Sequence, residues 1–199
     1  MDSLLRIARS ISRAVTWAGG LMILLSAVVV GLDVIMRKLF VLTLGGADEL
    51  AGYALAIGSS LAFSFALLER AHIRIDTLYL VLPPRLAAIL DIAALLAFTL
   101  FMALLAWHGW AVLQQSIQAG SVSMSPLGTP LAWPQSLWVV GLGLFLIVAV
   151  LLLIRAVAAL VAGETEIVRR LAGPRTIGED LEAGQRAAGT PPLGGIQPQ

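Results

Sequence analysis

The chain is predicted to be an all-α integral membrane protein with four transmembrane helices. Three observations carry that prediction. Four apolar runs, at about 15–36, 48–68, 86–113 and 135–161, are separated by short polar links. Each reaches or approaches the roughly 20 residues that cross a hydrocarbon core about 30 Å thick at 1.5 Å rise per residue. Only 13% of the 199 residues are charged and the mean hydropathy is +0.93, against about 25% charged in a soluble domain. The interiors of the runs (15–35, 50–68, 86–113 and 137–154) hold only two acids, Asp33 and Asp91, and one histidine, His108. Lipid offers no water to a peptide group, so each run must be a helix that closes its own hydrogen bonds.

Residues 1–14 form a basic amphipathic segment. Leu4, Leu5, Ile7, Ala8 and Ile11 alternate with Arg6, Arg9 and Arg13. Two readings stand side by side: a segment lying on the membrane surface, or a helical extension of the first span. The apolar run that follows exceeds the 7–15 residues of a signal-peptide core and no small-residue cleavage site closes it. It is therefore read as a retained helix, ending near Asp33, whose spacing to Arg37 allows an i,i+4 ion pair. Lys38 follows at the same boundary.

Asp48 and Glu49 open the second helix, where acids offset the positive end of the dipole. Along that helix Gly52, Ala56, Ser60 and Ser64 recur every four residues. Such a ridge of small side chains lets membrane helices approach closely. The second link, 69–85, carries Glu69, Arg70, His72, Arg74 and Asp76, then Pro83 and Pro84, which interrupt the backbone pattern and launch the third helix. It is too short and too charged to cross a bilayer and is expected at an interface.

In the third helix Asp91 lies about two turns from the start, and Trp107 and Trp110 mark the far end beside His108. The third link, 114–136, contains Pro126, Pro130 and Pro134. These forbid one continuous helix and favour a rigid extended loop. Trp133 and Trp138 flank the fourth helix as an aromatic belt does. Residues 163–171 fit a short surface helix. The rest of the 163–199 tail is rich in Gly, Pro and Gln, lacks the apolar content to fold, and is expected to be disordered.

Charge placement orients the chain. With four spans, the N-terminus, the second link and the C-terminus share one side, and all but Arg37 and Lys38 of the 13 Lys and Arg fall there. By the positive-inside rule both termini and the second link are cytoplasmic. Arg37 and Lys38 then reach headgroups on the outer side.

Several functions are excluded. The absence of cysteine removes disulfides, thiol catalysis and iron–sulfur ligation. Two histidines in all argue against a histidine-based metal or haem site, and no cofactor is expected. A net charge of +1, with no basic face interleaved with aromatics, gives no sign of nucleic-acid binding. Ser59 and Ser60 have no histidine base on their helix, and no phosphate loop or paired carboxylate occurs. No helix is interrupted at mid-span, the feature that marks a transporter's own binding site. The chain is not read as an enzyme.

The order of motifs Asp33-Val-Ile-Met-Arg37, Ala47-Asp48-Glu49-Leu50 with Tyr53, and Phe65-Ala-Leu-Leu-Glu69-Arg70-Ala71-His72-Ile73-Arg74-Ile75-Asp76 resembles the small membrane subunit of tripartite ATP-independent periplasmic (TRAP) transporters, the DctQ-like family. The segment from Ser125 to Trp138 is similar to that family's entry into its fourth helix. One departure is Gly45-Gly46-Ala47, where the family often carries a Trp shortly before the Glu that opens helix two.

The resemblance implies a bacterial inner-membrane location and a fixed scaffold for a larger membrane subunit that bears the sodium and substrate sites. It also implies a periplasmic solute-binding protein that delivers an organic acid, such as a C4-dicarboxylate. On that footing Arg37, Lys38, Asp48, Glu49 and Trp133 are candidate periplasmic partner contacts. Gly52, Ala56, Ser60 and Ser64 are candidates for subunit packing, and Glu69, Arg70, His72, Arg74 and Asp76 for a cytoplasmic interface. Two alternatives remain at this point: an anchor or assembly subunit of another inner-membrane complex, and a small membrane-embedded enzyme.

Overall fold

A computed structural model describes residues 2–70, 82–173 and 184. Its helices are α1 (Asp2–Phe40), α2 (Ala47–Leu68), α3 (Pro84–Ala119), α4 (Ala132–Val161) and α5 (Thr165–Ala172). The first four are long and apolar enough to cross a membrane. Among the described residues there is no strand, only an isolated antiparallel bridge between Val122 and Pro130.

Helix limits follow local chemistry. Residues 2–14 contain no Gly or Pro, and they run unbroken into the first span, so α1 has 39 residues and a length of about 58 Å. It stops where Val41 takes a positive φ of 54°. Pro84 opens α3 at its first position, where a missing N–H costs nothing. That helix continues past residue 113 through Gln-Gln-Ser-Ile-Gln-Ala, which hold no breaker, and ends at Gly120 in the left-handed region. Pro134 sits within the first turn of α4, where proline is tolerated.

The helices pack as a row in the order α1, α2, α4, α3. α4 is the spine of that row. Its buried face is Gly141, Leu142, Phe145, Val148, Ala149, Leu152, Ala156 and Ala159, at three- and four-residue steps. The Phe145 ring meets Phe98 of α3 edge-on at 5.3 Å. The two other interfaces are backbone contacts. On the α1–α2 side, a Cβ on Gly58 would stand 2.9 Å from the Gly19 carbonyl. On the α2–α4 side, a Cβ on Gly141 would collide with Ser60. Lipid supplies no hydrophobic drive between helices, so dispersion across such close approaches holds them.

One end of the row carries the α1–α2 and α3–α4 links. The opposite end carries the start of α1 and α5. α5 follows a turn at Gly163 (φ +80°) and packs on α3 and α4, burying Val168 and Ala172. The first part of the tail is thus a short helix, and it is docked on the bundle. The expected disorder concerns residues 174–199, which lie outside the described residues apart from Gly184.

Candidate functional site

The end bearing the two links gathers the polar residues that the sequence singles out. The α1–α2 link turns back over the last turns of α1. Asp33 faces inward there, only 2% exposed. Its carboxylate accepts hydrogen bonds from the Arg37 guanidinium, from the Thr43 hydroxyl at 2.9 Å and from the Leu44 N–H at 2.6 Å. The i,i+4 spacing gives the Arg37 pair, while the other two donors come from beyond the helix end. Asp33 therefore fixes the path of the link, and Thr43 continues the chain of bonds by accepting from the Gly45 N–H at 3.2 Å.

The α3–α4 link is a small hairpin. Ser123 N–H donates to the Thr129 carbonyl at 2.9 Å and Leu131 N–H to the Ser121 carbonyl at 3.0 Å. The prolines exclude a helix, but the loop closes on itself instead of running extended. Its side chains then reach α2. Glu49 accepts from Tyr53 at 2.6 Å, from Ser123 at 2.7 Å and from Ser125. Glu49 thus stands in the first turn of α2, as its place in the sequence implies, and is also held by the hairpin. Gly46 holds the N-cap position of α2 without a side-chain cap bond, and the Glu49 carboxylate ties the start of α2 to hairpin residues 74 and 76 positions further along the chain.

Gly46 completes the closure. Its φ is +135°, and a Cβ there would overlap the Leu127 side chain. At Gly46 both the backbone conformation and the Leu127 side chain favour glycine, which gives a physical reason for the residue at that position. Pro126 lies over Gly45 at 3.5 Å from its would-be Cβ.

The outer rim of this platform is exposed. Lys38 and Asp48 face solvent, Arg37 keeps 58% of its side chain exposed despite its bond to Asp33, and Met124 projects fully from the hairpin tip. Trp133 is also exposed, near the start of α4. The small-residue ridge divides: Ser60 and Ser64 are buried, whereas Gly52 and Ala56 are exposed. At the opposite end Glu69 follows α2 and pairs with Arg9 at 3.7 Å, and Arg70 takes a positive φ of 52°. His72, Arg74 and Asp76 lie outside the described residues. Asp91 is fully buried in α3 and His108 is exposed on the same helix, so neither joins the platform.

Sequence reasoning missed Ser123 and Ser125 as partners of Glu49, Thr43 as a partner of Asp33, and the Gly19–Gly58 approach. The one available signal was the crowding of Ser, Gly and Pro in 121–130, which marks a structured turn. Chemically the site offers two carboxylates already surrounded by donors and a rim of mixed charge and apolar tips. Among the described residues no group of three or more His, Cys, Asp or Glu is placed to hold a metal ion. Such a surface suits docking of another protein.

Comparison with known families gives one assignment. Residues 26–159 match the family described as tripartite ATP-independent periplasmic transporters, DctQ component. No curated protein and no solved structure matches the chain.

Proposed function

The chain belongs to the DctQ component family of tripartite ATP-independent periplasmic transporters, and from that premise we propose that it works as a stationary scaffold. It is a multi-pass membrane component of a transporter, not a member of an enzyme family. In the proposed reading it sits in a bacterial inner membrane with both termini cytoplasmic, so that the cross-tied platform is periplasmic. A larger membrane subunit carries the sodium and substrate sites and moves against this chain. A soluble binding protein brings an organic acid, such as a C4-dicarboxylate, to the periplasmic face.

The observation that carries the reading is the combination of four unbroken spans with a cross-tied end. A chain that bound cargo at the midplane would need an interrupted helix to offer backbone groups there, and α1 to α4 run continuously through their apolar lengths. The bonds from Asp33 and Glu49 support a platform of fixed shape. A preformed surface loses less freedom when a partner docks. In this reading Lys38, Asp48 and Trp133, with the free part of Arg37, meet the binding protein, while Glu49 holds the surface in shape from behind.

Reconstitution tests the proposal. The chain alone in liposomes is expected to show no sodium-driven uptake. Together with the larger subunit and the binding protein, uptake is expected, and the two membrane chains should co-purify one to one. Uptake by the chain alone, or full uptake by the larger subunit without it, would overturn the scaffold reading.

A further inference from the structure

α1 stands at the edge of the row, and a groove of about 530 Å³ runs along it where Phe65 of α2 leans against it. Its walls include Arg13, Thr16, Trp17, Gly20 and Leu24. The groove has a direction. Arg13 stands at one end and Leu24 at the other. The Thr16 hydroxyl donates to the Ser12 carbonyl at 2.7 Å, so it is satisfied within the helix. Gly20 makes the notch, because a Cβ there would meet nothing within 4 Å. Arg6, Arg9, Arg13, Trp17, Gly20 and Leu24 follow one another at three- and four-residue steps, so a single stripe of α1 is basic and then apolar. Among the described residues Arg9 has Glu69 as its ion-pair partner, whereas Arg13 has none.

Length and charge suit one occupant. From Arg13 to Leu24 is about 16 Å at 1.5 Å per residue, close to half of a hydrocarbon core of about 30 Å, the depth of one leaflet. That length matches one acyl chain of a single leaflet, the walls beyond Thr16 are apolar, and the Arg13 guanidinium stands at the polar end.

We infer that this groove binds an acidic phospholipid, with the headgroup phosphate beside Arg13 and one acyl chain lying along Trp17, Gly20 and Leu24 against Phe65. The inference depends on the chain being a membrane protein and not on its part in transport, so each can fail without the other. The test places the full chain in phosphatidylcholine vesicles that contain brominated-acyl phosphatidylglycerol or brominated-acyl phosphatidylcholine at equal mole fraction. Quenching of Trp17 is read as the difference from a Trp17→Phe variant. One interfacial arginine contributes about a fivefold preference for an anionic lipid, so phosphatidylglycerol should quench Trp17 with about that preference. Arg13→Gln should abolish the preference and Arg13→Lys should retain it. Gly20→Leu fills the notch in open space and should reduce quenching by both lipids. Equal quenching by the two lipids, a preference that survives Arg13→Gln, or no quenching of Trp17 by either would overturn the inference.

Discussion

At the end of the helix row that carries the α1–α2 and α3–α4 links, Asp33 and Glu49 each gather donors from separate parts of the chain. At the other end α5 rests on α3 and α4 through Val168 and Ala172, and Arg9 meets Glu69 only at 3.7 Å with 55% of its side chain exposed. The contrast separates two ways of ending a membrane bundle. Carboxylates that accept several hydrogen bonds demand specific geometry, because every donor left without its acceptor is costly where water is scarce. Apolar docking of a short helix tolerates small shifts, and an exposed ion pair contributes little. The first end is built to hold a shape. The second is built to stay attached.

The comparison breaks most clearly if the polar end proves dispensable. Glu49→Ala leaves Tyr53, Ser123 and Ser125 without their shared acceptor. Amide exchange across 121–131 is expected to rise roughly 10- to 100-fold, the scale of losing hydrogen bonds to a charged group, while exchange in α5 stays unchanged. Equal exchange in the hairpin before and after the substitution would remove the distinction between the two ends.

Gly46→Ala probes the same closure through the backbone. An alanine at φ +135° must displace Leu127, at a cost of about 1–3 kcal/mol for a strained position. The thermal midpoint of the purified protein in detergent should fall accordingly. At the opposite end, Val168→Ala removes two buried methyl groups and should cost about 1.5 kcal/mol. It is read as faster proteolysis at the α4–α5 junction with no change in hairpin exchange. Arg9→Gln is expected to have the smallest effect, under about 0.5 kcal/mol, and that effect should vanish at high salt.

The four spans were legible in the sequence because their signal is a sum over about 20 residues and needs no partner. The Asp33–Arg37 pair was legible for a similar reason, since both residues lie on one helix one turn apart. The Glu49–Ser125 tie was not, because nothing in a single chain specifies which loop returns to a helix start 76 residues away. The small-residue ridge on α2 shows how one periodic pattern divides between neighbours. Its four-residue step marks one stripe, but α2 sits between two neighbours, so Gly58 meets α1 while Ser60 meets α4, and Gly52 and Ala56 face outward. The limits of α1 and α3 differed from the apolar runs for a simpler reason. A helix stops at a breaker, here the turn at Val41 or Gly120, and not where hydrophobicity ends.

The most direct test of the stationary-scaffold account measures the platform during transport. The chain has no native cysteine, so Leu39→Cys, at an exposed position, with Met124→Cys places one spin label on the α1 end and one on the hairpin tip. In the assembled transporter, with the larger subunit, binding protein, sodium and substrate present, the account predicts one narrow distance distribution that is the same at rest and during turnover. A second distance population that grows with turnover would contradict it.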